Sequence, residues 1–160
     1  MKTFKPALIL FLCLAPVLVF AQSGTNNDEL TRDVIRAKKK WFVGNSMSLT
    51  DMEQKGFWPV YDEYQIKLRV IYDRTGTLIQ QFVAHHESLT DARAKDMLDE
   101  WFELDEEKLK LDKKYATALD EVIPTTKVLR YMQIESKLDS VIRAELARVI
   151  PMARLPKQNQ

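Results

Sequence analysis

The sequence predicts an all-α protein built on a long, kinked antiparallel helical hairpin, with shorter helices at its N- and C-terminal ends, and predicts that it dimerises. Two observations carry the fold class. Glycine and proline are scarce, four and six in 160 residues, and runs of alternating β-branched residues are absent, so no sheet is expected. Two stretches also share one apolar spacing: Phe57, Tyr61, Tyr64, Leu68, Ile71, Thr75, Leu78, Phe82, and Met97, Trp101, Leu104, Lys108, Leu111, Tyr115, Ala118, Val122. Each steps by fours and threes, which keeps one stripe of a helix facing a partner. Folding the chain back near residues 87–90 pairs them layer by layer, from Phe82 with Met97 to Phe57 with Val122. Only Thr75 and Lys108 break the pattern, in different layers.

Residues 1–21 read as a cleaved signal peptide. Lys2 and Lys5 form a basic start, Ala7 to Phe20 an apolar run, and Val19-Phe20-Ala21 a cleavage site before Gln22. The run is short for a membrane span and is followed directly by polar residues, so no stable span is expected after cleavage. Phe11 and Leu12 before Cys13 argue against a lipid-attachment box. The implied location is periplasmic or secreted.

Residues 22–27 are expected to be flexible, 28–150 to form one helical domain, and 151–160 a disordered tail. The first helix, about 28–44, places Leu30, Val34, Ala37 and Trp41 on one stripe and stops at Gly44-Asn45. The second starts at Thr50, whose hydroxyl with Glu53 makes a capping box, and runs to about His86. Pro59 removes a backbone hydrogen bond inside it, and beside Gly56 it predicts a kink. Gly76 is a second weak point. The third helix follows the N-cap Thr90 to about Val122. Its surface carries Asp99, Glu100, Glu103, Asp105, Glu106 and Glu107, then Lys108, Lys110, Lys113 and Lys114, the pattern of a solvated face. Pro124 forces the joint to a fourth helix, about 125–149, whose broad apolar stripe is wide enough to touch two neighbours.

The matched section from Phe57 to Phe82 would be about 37 Å long at ~1.5 Å per residue. Flanking helices of this length leave part of its apolar stripe uncovered. The remainder must meet a second protomer or serve as a binding surface.

Loss of the leader leaves a cysteine-free chain with net charge −1, without disulfide or thiolate chemistry and with no global attraction to nucleic acid. There is no glycine-rich phosphate loop, no His-x-x-x-His pair and no nucleophile elbow, and the carboxylates fall on faces expected to be wet. An enzyme is not expected, nor a cofactor. Lys38, Lys39 and Lys40 before Trp41-Phe42 read either as a cationic, aromatic recognition patch or as the wet face of the first helix with Trp41 in its core. Trp58, Tyr61, Tyr64 and Trp101 are core residues on the simplest reading. In a thin hairpin, one side of such a layer can stay open for apolar contact. His85 and His86 form the only histidine cluster. Their side chains point about 100° apart, so a metal ion would need Glu87 or a partner protomer.

Leu49-Thr50-x-x-Glu53 at one helix start and Ile123-Pro124-x-x-Lys127 at a later one, after a secretory signal and around a long hairpin, resemble the periplasmic Spy and CpxP group. That group carries two Leu-Thr-x-x-Gln motifs and folds as kinked hairpins that dimerise into a cradle. Here glutamate and lysine replace the glutamines, and Pro124 replaces a threonine. Gly56-Phe57-Trp58-Pro59-Val60-Tyr61 and Arg130 to Leu138 also resemble a set of uncharacterised secreted bacterial proteins.

The first resemblance implies an ATP-independent holdase or an envelope-stress sensor. Three functions follow as expectations. The leading one is a non-enzymatic, chaperone-like binding protein that shields apolar segments of unfolded or envelope proteins. It would use Trp41, Phe57, Trp58, Tyr61, Tyr64 and Trp101 for apolar contact and Lys38, Lys39 and Lys40 for acidic segments. The others are a metal-responsive envelope-stress sensor using His85 and His86, and a structural module with one dedicated envelope partner.

Overall fold

The computed structural model describes residues 24–155, with side chains from residue 34 onward, so the expected signal peptide at 1–21 and the last five residues lie outside the described residues. Four α-helices follow one another: α1 Gly24–Met47, α2 Asp51–His85, α3 Asp91–Asp120 and α4 Thr125–Val149. No strand occurs among the described residues. The chain divides into two compact units, the first ending at Phe42 and the second running from Val43.

α1 begins in the first unit, at Gly24, so residues 24–27 are helical where a flexible segment is expected. The helix also runs past its expected stop at Gly44-Asn45 and ends at Met47. Gly44 serves close packing instead, because a Cβ there would lie 3.4 Å from the Trp58 ring. The actual stop is Ser48, a non-glycine residue with φ of 48°. The helix-end carbonyls find their partners on α4: the Ser46 oxygen accepts from Arg130 Nε at 2.6 Å and the Ser48 oxygen from Lys127 Nζ at 3.0 Å.

In the second unit, α2 opens with the expected capping box. Thr50 Oγ1 accepts from the Glu53 amide, and Glu53 Oε2 accepts from the Thr50 amide at 2.7 Å. The helix is continuous through Pro59. Thr90 caps α3 through the Arg93 amide.

α2 and α3 run in opposite directions, as their contacts show. Gly56 lies against Val122, the Tyr64 ring meets that of Tyr115 at a tilt with centroids 5.4 Å apart, and Arg74 Nη1 meets both Glu107 oxygens at 2.8 Å. The two residues that interrupt the apolar stripe are each accommodated. Thr75 Oγ1 donates to the Ile71 carbonyl within its own helix, and Lys108 pairs with Asp112 at 2.9 Å. Asp112 also accepts from the Tyr64 hydroxyl at 2.7 Å.

The main core gathers Val43, Met47, Phe57, Tyr61, Tyr64, Leu68, Tyr115, Leu119, Ile123, Val128, Tyr131 and Ile134. Tyr131 of α4 is its hub, with ring centroids 5.3 Å from Phe57, 5.9 Å from Tyr61 and 6.2 Å from Tyr64. A smaller cluster of Ile71, Leu78 and Leu104 continues between α2 and α3 alone. α4 shifts the end of the α3 stripe by one position: Leu119 and Ile123 are buried, whereas Ala118 is half-buried and Val122 exposed. Past α4, the Arg154 amide donates to the His86 carbonyl at 3.2 Å.

Candidate binding surface

The aromatic residues of α2 that the sequence nominates for apolar contact lie inside the protein. Phe57, Tyr61 and Tyr64 are all buried, within the ring cluster around Tyr131. They cannot meet a partner while this core is closed, so the open side expected of a thin hairpin is absent at these layers, because α4 covers it. Trp58 is half-buried, edge-on to Phe57 at 5.1 Å and to Tyr61 at 5.3 Å.

Trp101 and Trp41 are placed differently. Trp101 is 42% exposed, and its neighbours Leu98 and Phe102 are exposed as well. With about 100° between successive residues, Leu98, Trp101, Phe102 and Leu109 form one strip beside the buried Leu104 stripe, with Asp105 in its middle. Asp105 accepts from Arg143 of α4 at 3.3 Å, which sets the level at which α4 passes α3.

Around this bridge the inner stripe of α4 is covered only in part, with Leu146 half-buried. Tyr131, Ile134 and Glu135 are buried on that stripe, Leu138 is half-buried, and Ile142 and Val149 farther along are exposed. Exposed apolar strips of α3 and α4 therefore flank the Asp105 and Arg143 contact. The heptad stripe through Trp101 does not include Leu98 or Phe102; the sequence signal for them is a second i, i+4, i+11 strip of Leu98, Phe102 and Leu109.

On α1, Trp41 is 71% exposed and Phe42, Val34 and Ile35 are exposed too, so Trp41 is not the core residue of its helix. Lys38 is exposed, whereas Lys39 and Lys40 are half-buried.

The histidines are engaged by backbone: His85 Nδ1 lies 2.8 Å from the Gln81 carbonyl and His86 Nδ1 2.8 Å from that of Val83. Among the described residues no group of three or more His, Cys, Asp or Glu side chains could hold a metal ion. A shallow depression on α4 is lined by Leu129, Met132, Gln133, Ser136 and Lys137, all from one helix.

Buried polar groups form a seam between helices. Gln65 Nε2 donates to the Tyr131 hydroxyl at 3.2 Å and to Glu135 at 3.1 Å, and the Tyr72 hydroxyl donates to Asp139 at 3.1 Å. Burial, reinforced by the charge of Glu135, pushes the Tyr61 and Tyr131 phenols well above their usual range. Burial and then the bond to Asp112 do the same to Tyr64. These phenols stay neutral, which suits them to donating hydrogen bonds and not to proton abstraction near neutral pH.

Among the described residues no helix is long and apolar enough to cross a membrane. No family model, no curated protein and no solved structure matches this chain.

Proposed function

We propose that the chain is a periplasmic or secreted, non-enzymatic binding protein of the chaperone-like type, a kinked helical hairpin working as a dimer that shields apolar segments of unfolded or envelope proteins. One observation carries this reading: Leu98, Trp101 and Phe102 of α3 and Ile142 and Val149 of α4 are exposed on either side of the Asp105 and Arg143 contact. Apolar side chains gathered in this way mark a surface that gains by losing water. Binding of the unfolded or partner state is sufficient for such activity, with no nucleotide. The neutral phenols suit hydrogen bonding and not proton abstraction, which supports a binding role over a catalytic one.

The test is suppression of light scattering from a destabilised client at stoichiometric ratios. The chain from Gln22 onward slows aggregation, and Trp101→Ala with Phe102→Ala removes most of the effect while circular dichroism stays helical. A wild-type chain without effect, or a double variant as effective as the wild type, rejects the proposal.

A further inference from the structure

We infer that the segment after α4, residues 151–160, is a strap that closes over the apolar strip of α3 and must be displaced before a client can bind there. The inference rests on the proposed function only in treating that strip as a binding surface.

The course of α4 brings the strap beside the strip. The helix starts next to the start of α2, where Lys127 meets Glu53, and passes Tyr72 at Asp139, so it climbs toward the turn between α2 and α3 while α3 descends from it. Asp105 stands in the middle of the strip and reaches Arg143, so the strip faces the side on which α4 climbs. Six residues, about 9 Å, carry α4 from Arg143 to Val149, and six carry α3 from Asp105 back to Asp99. α4 therefore ends level with Leu98 and Trp101. Pro151 keeps the chain from continuing as helix, and the Arg154 amide then donates to the His86 carbonyl at the end of α2.

Two apolar sets face water at this end of the fold. Met152 is 89% and Leu155 83% exposed, and Leu98, Trp101 and Phe102 are exposed as well. Each set gains by covering the other. The reach is sufficient. Three extended residues from Val149 to Met152 span about 10 Å, the separation of packed helix axes. Beyond Arg154, six further residues reach about 20 Å, while Leu98 to Phe102 lie about 10–16 Å along α3 from Asp91.

Charge favours the same closure. Residues 91–107 hold eight carboxylates and two bases, Arg93 and Lys95. The cations that reach in from elsewhere in the fold, Arg74, Lys110 and Arg143, still leave three carboxylates in excess. Residues 149–160 carry Arg154 and Lys157 and no carboxylate. Opposite charge at the rim sets register, and a tethered segment needs little intrinsic affinity because its effective concentration is of millimolar order.

Cys13 is the only cysteine, so the chain from Gln22 onward has none and accepts reporter pairs. Under mild oxidation, Leu98→Cys with Met152→Cys forms a disulfide within one chain. It does so several times faster than Asp96→Cys with Met152→Cys, because position 96 lies about 160° around α3 from position 98. The probe for client binding is a small globular protein kept unfolded by reduction and carboxymethylation. A chain ending at Ile150 binds it about threefold or more tighter than the full chain, because a closed strap lowers apparent affinity by the open fraction. Met152→Ser with Leu155→Ser gives the same gain without shortening the chain.

Equal client affinity of the full and shortened chains overturns the proposal. So does equal cross-linking at positions 96 and 98, or a disulfide that joins two chains. If no form of the chain binds client, the proposed function fails, and the cross-linking rates still decide for or against the strap.

Discussion

Glu53 accepts a hydrogen bond from the Lys127 ammonium, a residue 74 positions away, while its carboxylate also closes the capping box of α2. The two side chains meet as an ion pair, Glu53 only 16% and Lys127 only 25% exposed. Lys127 also holds the Ser48 carbonyl, so one cation ties together the end of α1, the start of α2 and the start of α4.

This pair gives stability a pH dependence of defined sign. The bond from Lys127, followed by that from the Thr50 backbone, holds the Glu53 carboxyl below its ordinary value of 4.5. A depressed carboxyl contributes stability above its unfolded value and loses it as pH falls through its folded value. Denaturant titrations from pH 6 down to pH 2 should show Glu53→Gln losing less stability than the wild type below about pH 4.5. The substituted amide keeps the cap but has no charge to titrate. An acid limb equally steep in both proteins contradicts the assignment.

Two glycines of α2 should respond to alanine with opposite signs. At Gly56 a Cβ would fall 2.8 Å from Val122 Cβ, so Gly56→Ala forces the helices apart and costs about 1–3 kcal/mol by overpacking. Val122→Ala in the same chain should recover only a minor part of that loss, because alanine keeps the Cβ that makes the 2.8 Å contact and removes only the γ carbons at 3.2 and 3.5 Å. At Gly76 nothing lies within 4 Å of the new methyl, so Gly76→Ala should gain about 1 kcal/mol from helix propensity. Chemical denaturation of the three variants checks both signs.

Ser48 holds φ of 48° without being glycine, at the position that ends α1. Replacing it by glycine relieves the left-handed penalty and gives back part of the gain in unfolded-chain entropy, for a net stabilisation of about 0.5–1 kcal/mol. Ser48→Ala should not stabilise. The midpoint of thermal unfolding decides between them.

Tyr64→Phe removes the donor to Asp112 in a half-buried site that Lys108 also occupies. The expected loss is about 1–3 kcal/mol, because the carboxylate keeps its charge and loses a partner. Tyr72→Phe, which gives up the bond to Asp139 at 3.1 Å, should cost no more than this. Equal stability of Tyr64→Phe and wild type would show that Lys108 alone satisfies Asp112.

Much of the fold was legible because its rules are local. The threonine caps at Thr50 and Thr90, the joint at Pro124 and the start of α4 depend on residues a few positions apart, and they lie where spacing and capping chemistry put them. The candidate surface was legible only in part. Trp101 and the Lys38 to Trp41 segment are on the outside to differing degrees, whereas Phe57, Tyr61 and Tyr64 are sealed by Tyr131.

Heptad spacing tells which side of a helix is apolar, so by itself the sequence determined the helices, their caps and the stripe from Phe57 to Leu78. Tertiary structure decided which layers α4 covers. Its inner stripe fills the layers around Tyr131 and leaves Ile142 and Val149 exposed farther along, so aromatic residues of the same pattern become core at one end and surface at the other. Burial depends on a third helix reaching the layer, and a one-dimensional spacing carries no record of where that helix lies.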